Sequence, residues 1–122
     1  MQRIGEITLD RVVENEGPFV DAATFLPAST PDVIEANSDW LVPHYIDPAS
    51  GELIFSFQSY IVRTPHHTIL VDTCVGNDKP RPHRPMWDMM NGPFLNDLAS
   101  AGVQPEDVDF VMCTHLHIDH VG

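Results

Sequence analysis

The spacing of apolar residues changes character several times along the chain, and each change predicts an element. Between Ile4 and Val13, the side chains of Ile7, Leu9 and Val13 fall on one side of an extended backbone, which predicts a half-buried first strand. From Glu14 to Pro27 the apolar residues are isolated among Gly17, Pro18 and Pro27, so this stretch reads as a loop within a domain rather than a linker between two. Thr30-Pro31-Asp32 then opens a short helix. Threonine can cap free amides there, proline fits the first helical position, and Asp32 and Glu35 suit the positive end of the dipole.

Tyr45 to Phe57 reads as strand, tight turn and strand, with Pro48 and Gly51 supplying the turn, and Ser59 to Arg63 extends the second strand. Thr64 to His67 makes another turn before Thr68-Ile69-Leu70-Val71-Asp72-Thr73, a short buried strand that ends on polar residues. These pieces form a β-meander. Pro80, Pro82 and Pro85 exclude regular structure over most of Cys74 to Gly92, and an irregular loop of that size is more often functional than idle. Gly92-Pro93 introduces a helix through about Ala101 with Phe94, Leu95, Leu98 and Ala101 on one face, and Gly102 is its left-handed stop. A turn at Pro105 to Val108 leads to a buried strand, Phe110 to Thr114. Strand, helix, strand in that order predicts an α/β layered fold.

A chain of 122 residues, 43% of them hydrophobic, supports one core and one domain. Eighteen acidic residues against six basic ones give a net charge of -12, which repels phosphate backbones and anionic membrane surfaces, so neither nucleic acid nor membrane is expected as a partner. The start, Met1-Gln2-Arg3-Ile4-Gly5-Glu6, lacks the charge and the apolar run of a secretory signal, and a cytoplasmic protein is expected. Cys74 and Cys113 make no C-x-x-C pair and are expected free, with Cys113 a small core residue.

Against this background, His115, His117, Asp119 and His120 stand out. Four metal donors within six positions, directly after an apolar strand, are more than packing explains. On a turn at the strand's end, His115 and His117 can face one cation while Asp119 and His120 face a second beside it. The remaining histidines, His44, His66, His67 and His83, fall at no ligand spacing and read as surface or packing residues. Trp40, Met86, Trp87, Met89, Met90 and Phe94 read as packing, although the loop carrying Met86 to Met90 could close as an apolar lid.

The run Thr114-His115-x-His117-x-Asp119-His120-x-Gly122 resembles the H-x-H-x-D-H signature of metallo-β-lactamase-fold hydrolases. Ile69-Leu70-Val71-Asp72-Thr73 resembles that family's earlier motif, whose aspartate lies behind the metal site, and gives Asp72 an orienting role. Gly76 and the proline-rich stretch from Asn77 to Pro85 look similar to the lactonase and organophosphate-ester branches.

The resemblance implies an αβ/βα sandwich, of which residues 1–122 would be the N-terminal part of a single domain. It implies two Zn2+ ions per complete domain, or other divalent metals, with His115 and His117 on the first and Asp119 and His120 on the second. The chemistry it implies is hydrolysis of a small-molecule ester, lactone or related substrate by a metal-bridging hydroxide, with Asp119 passing a proton to the leaving group. The family's later histidines and bridging aspartate are not among these residues, so the segment alone is expected to be inactive. An iron redox protein of the same fold and a non-catalytic metal-binding fragment are the alternatives. The strong acidity disfavours the family's nucleases.

Overall fold

A computed structural model describes all of residues 1–122. Nine elements of regular structure and two 3-10 turns follow the chain as β1 (Gln2–Ile4), β2 (Ile7–Asp21), α1 (Ala22–Phe25), α2 (Pro31–Ala36), α3 (Ser38–Leu41), β3 (Glu52–Arg63), β4 (Thr68–Val71), α4 (Phe94–Ser100) and β5 (Phe110–Met112). The strands form one mixed sheet in the order β1-β2-β3-β4-β5. The chain divides into two compact units, one of Met1–Glu14 with Phe57–Gly122 and one of Asn15–Ser56, so β2 and β3 contribute residues to both.

In the larger unit, β1 folds back on β2 with Gln2 opposite Leu9, and Gly5 turns the corner at φ 63°. β3 pairs antiparallel with β4, Tyr60 opposite Val71, whereas β4 pairs parallel with β5, Ile69 opposite Phe110. A parallel pair needs a crossover, and α4 lies within it. Phe57, Ser59 and Ile61 alternate inward along β3, as a period of two requires. Val12, Ile61, Leu70, Cys74, Phe94, Leu98 and Val103 make the core, with Ala101 and Val108 packed against it. Arg63 ties the sheet to the end of α4. Its Nη1 reaches Asp10 Oδ2 at 2.7 Å and its Nη2 donates to Ala101 O at 2.6 Å. Partial burial works against the Asp10 carboxylate, but the Arg63 guanidinium and the amino terminus of Met1 hold its pKa below the ordinary value.

In the smaller unit, Phe55 stacks on Phe19 with ring centroids 5.1 Å apart and meets Phe25 edge-on at 5.0 Å. Asp21 caps α1 by accepting from Thr24 N at 2.8 Å. Thr30 is the N-cap of α2, as its place before Pro31 predicts, yet its side chain makes no capping bond. Gly51 N donates to Asp47 O at 2.8 Å and Ser50 N to Asp47 Oδ2 at 2.7 Å, which closes the expected turn between Ile46 and β3.

Three expectations from the sequence need correction. Residues 14–21 belong to β2 rather than to a loop. The paired residues of β1 reach only to Leu9, so the β1 side of the strand is unpaired by β1 beyond that point, and proline within a strand is tolerated where its nitrogen faces such an edge. Leu95 lies off the buried face of α4, 56% exposed against 2% for Leu98. β5, at the edge of the sheet, is exposed at Phe110, Val111 and Met112, and Cys113 with it. No helix is long and apolar enough to cross a membrane.

The burial difference on α4 makes a direct test. Leu98→Ala should lower stability by about 2–5 kcal/mol and Leu95→Ala by well under ~1 kcal/mol, read from denaturant midpoints at constant m-value.

Candidate metal centre

Past the end of β4, residues 72–76 run through an irregular backbone in which Asp72, Cys74 and Gly76 all take positive φ, at 60°, 54° and 77°. For a non-glycine residue this conformation is sparsely populated and persists only when neighbours over-determine it. The neighbour here is the chain that follows β5. Asp72 N donates to Met112 O at 2.7 Å, Thr73 N and Oγ1 donate to His120 O at 3.1 and 3.3 Å, and Gly122 N donates back to Cys74 O at 2.9 Å. The two backbones approach so closely that a Cβ on Gly122 would lie 2.5 Å from Gly76 N and Thr73 O, and one on Gly76 would lie 2.8 Å from Gly122 Cα. Only glycine fits at either position.

The Asp72 carboxylate, 5% exposed, is the hub of this contact. Its Oδ1 accepts from Thr114 N at 2.7 Å, and its Oδ2 accepts from Thr114 Oγ1 at 2.8 Å and from His120 Nδ1 at 2.8 Å. Burial favours the neutral acid, but the His120 imidazole and the Thr114 amide and hydroxyl outweigh it, and the pKa of Asp72 is held below the ordinary carboxylate value. The Thr114 hydroxyl also stands 3.1 Å from His115 Nδ1. Two of the three histidines thus have their Nδ1 atoms engaged, which leaves Nε2 as the ring nitrogen that each could offer to a cation.

Those Nε2 atoms face the other two side chains. His115 Nε2 is 3.1 Å from His117 Nδ1, and His120 Nε2 is 3.3 Å from Asp119 Oδ2. The His115 and His120 rings adjoin, with centroids 3.9 Å apart. His115 and His117 are exposed, Asp119 and His120 half-buried. All four residues singled out in the sequence are therefore together at one end of the sheet, as two adjoining pairs, with Asp72 behind them. No three His, Cys, Asp or Glu side chains are grouped closely enough to hold an ion among themselves. His44, His66, His67 and His83 are exposed, and His67 packs edge-on against Phe110 at 5.1 Å.

Several supporting residues escaped the sequence reading. Glu14, at the centre of β2, accepts from Val75 N at 2.9 Å and Gly76 N at 3.0 Å with its two carboxylate oxygens. Arg81 Nη2 donates to Val75 O at 2.8 Å. Asn77 closes the neck of the following loop, donating to Gly92 O and accepting from Gly92 N, both at 2.8 Å. Trp87 returns from that loop to meet Phe57 edge-on at 5.7 Å, while Met86 and Met89 are exposed. A carboxylate and two backbone amides sixty-odd residues apart leave no local signal.

The sequence profile of the metallo-beta-lactamase superfamily matches residues 58–122, just over half of the chain, and the chain belongs to that superfamily. Among characterised proteins it is 26% identical over 102 residues to the N-acyl homoserine lactonase AiiB of Agrobacterium fabrum, covering 73% of this chain and 36% of AiiB. Among solved structures, a probable metal-dependent hydrolase from Staphylococcus aureus superposes with a TM-score of 0.71 at 19% identity, over 98% of this chain and 41% of that one. AidC, a dizinc quorum-quenching lactonase, superposes with a TM-score of 0.67 at 20% identity, over 98% of this chain and 36% of AidC. The fold is thus that of the metallo-β-lactamases, and the chain spans about two fifths or less of the length of these relatives.

The two cysteines test the packing around the centre. Both are free, Cys74 buried and Cys113 exposed, so the expected core role falls to Cys74 and not to Cys113. Burial pushes the Cys74 thiol up to about 11, against an opposing hydrogen bond with Ser59, and the nearby Glu14 charge adds to the rise. A thiol reagent at about pH 8 should modify Cys113 within minutes and Cys74 only after denaturation, since roughly one Cys74 in a thousand is thiolate at that pH. Mass spectrometry of the labelled peptides reads the order directly.

Proposed function

We propose that residues 1–122 are part of a single metallo-β-lactamase-like domain that holds two divalent cations, Zn2+ foremost, and hydrolyses an ester, lactone or related small molecule. The observation that carries this reading is the spacing of the donor pairs. Two donors on one tetrahedral zinc ion, each about 2.05 Å from the metal, stand about 3.3 Å apart. The His115–His117 and Asp119–His120 pairs are at 3.1 and 3.3 Å. The lactonase activity named for AiiB and the dizinc centre named for AidC support the substrate class and the metal count.

On this reading His115 Nε2 and His117 Nδ1 hold one ion, and Asp119 Oδ2 and His120 Nε2 hold the other. A tetrahedral site takes at least three protein donors, so the remaining ligands come from outside residues 1–122, and these residues alone are inactive. When bound, the ions supply Lewis acidity and activate water at neutral pH. The chain's own residues do the rest. Asp72 accepts the His120 Nδ1 proton and thereby fixes the tautomer that presents Nε2. Thr114 plays the same part for His115, with its hydroxyl placed between His115 Nδ1 and Asp72. Asp119, half-buried beside His120, would take the proton given up by the attacking water and pass it to the departing oxygen as the bond breaks.

Two measurements on the full-length protein test these assignments. His115→Ala and His117→Ala should each lose about one equivalent of metal by elemental analysis, together with most of the turnover. Two ions and full turnover in both variants would overturn the ligand assignment, while iron in place of zinc without esterase or lactonase activity would favour a redox protein.

Asp119→Asn separates the two roles given to Asp119, because the amide keeps an oxygen donor but carries no acidic proton. With its metal content confirmed, this variant should slow substrates with poor leaving groups by roughly 10²–10⁴-fold and activated esters much less. An equal loss on both kinds of substrate would leave Asp119 a ligand only.

A further inference from the structure

The donors do not stand on the sheet directly. They rest on residues 72–76, through Asp72 to Thr114 and His120, through Thr73 to His120 O, and through Cys74 O to Gly122 N. That loop holds non-glycine residues at positive φ and needs an anchor at its far end. Glu14 sits at that end. Its carboxylate takes the amides of Val75 and Gly76 one on each oxygen, at 2.9 and 3.0 Å, and Arg81 takes the carbonyl of Val75 at 2.8 Å. The Val75 peptide is thereby gripped on both its polar groups. Gly76, the second residue held, is the one whose backbone abuts Gly122. Glu14 itself is half-buried, so its charge is partly withdrawn from water, and charge-assisted bonds to backbone amides are the strong kind.

We propose that Glu14 is a positioning residue for the metal centre, setting the geometry of His120 and Asp119 through loop 72–76 without touching an ion or the substrate. The inference rests on the metal reading above. The line of bonds runs from Glu14 to Val75 and Gly76, along the loop to Thr73, and from Thr73 to the carbonyl of His120. Loss of the first link frees two amides and removes the constraint on the last. Partners bonded directly to a ligand are worth about tenfold to a hundredfold in metal affinity, and Glu14, further out, belongs at the lower end of that range.

The test uses the full-length protein and the variants Glu14→Gln and Glu14→Ala. Glutamine keeps the shape but turns one of its two polar atoms into a donor, so one of the two amide bonds is lost. Amide exchange is measured first on metal-free protein. Faster exchange at Val75, Gly76, Thr73 and Gly122, with β3 and β4 unchanged, is the expected result and does not depend on any metal being bound. Cobalt is then titrated against a chelator, and Glu14→Gln should lose about tenfold in affinity with a shift in the visible absorption bands of the ion. Wild-type affinity and spectrum in Glu14→Gln, or exchange that rises evenly across the whole sheet, would overturn the proposal. If Glu14→Ala fails to fold, Glu14→Gln alone decides. A wild-type protein that takes up no cobalt would instead sink the metal reading, whatever the exchange shows.

Discussion

A single buried carboxylate holds together the two halves of the site. Asp72 ends β4 in a conformation that costs free energy by itself, and it recovers that cost through bonds to Thr114 and His120, more than forty residues along the chain. The parallel pairing of β4 and β5 ends at Val71 and Met112, and beyond it these side-chain bonds join the backbone bonds at Thr73 and Cys74 in setting the orientation of the donor run. With them, the direction of His120 is fixed from below and that of His115 from the side. The carboxylate stays ionised despite its burial because all its partners are donors.

Much of this was legible in the sequence, and the reasons are local. The cluster stood out because four side chains of the kinds that ligate metals, within six residues, have no packing explanation. The hairpin at Asp47 to Gly51 and the stop of α4 at Gly102 follow from turn chemistry, which acts over a few residues. What escaped was everything decided by distant partners. Glu14 gave no sign because its partners are on the other side of β3 and β4 in sequence. The length of β2 was hidden by Gly17 and Pro18, which by local chemistry alone read as a loop. Phe110 to Met112 read as buried because an apolar run carries no mark of what will pack over the faces of its strand.

The acidity of the chain and the chemistry of its centre bear on each other. The 122 residues carry a net charge of -12, and an excess of that sign attracts cations, which on our reading the site gathers, and opposes polyanions. An uncharged ester or lactone suits that field better than a phosphodiester backbone does.

The reciprocal pair of bonds between Asn77 and Gly92 separates what lies inside the following loop from what lies outside it. Because the neck is tied by a side chain and a backbone, the span between the two ends does not depend on how many residues run from one to the other, and lengthening a closed loop adds only a slowly growing entropy. The stretch between Arg81, which holds the Val75 carbonyl, and Trp87, which packs on Phe57, carries the exposed Met86 and can therefore be lengthened, shortened or exchanged while the donor platform beside Asn77 keeps its shape. In evolutionary terms the neck makes this segment a cassette, which can drift among related proteins while the end of the sheet that carries the histidine cluster stays the same.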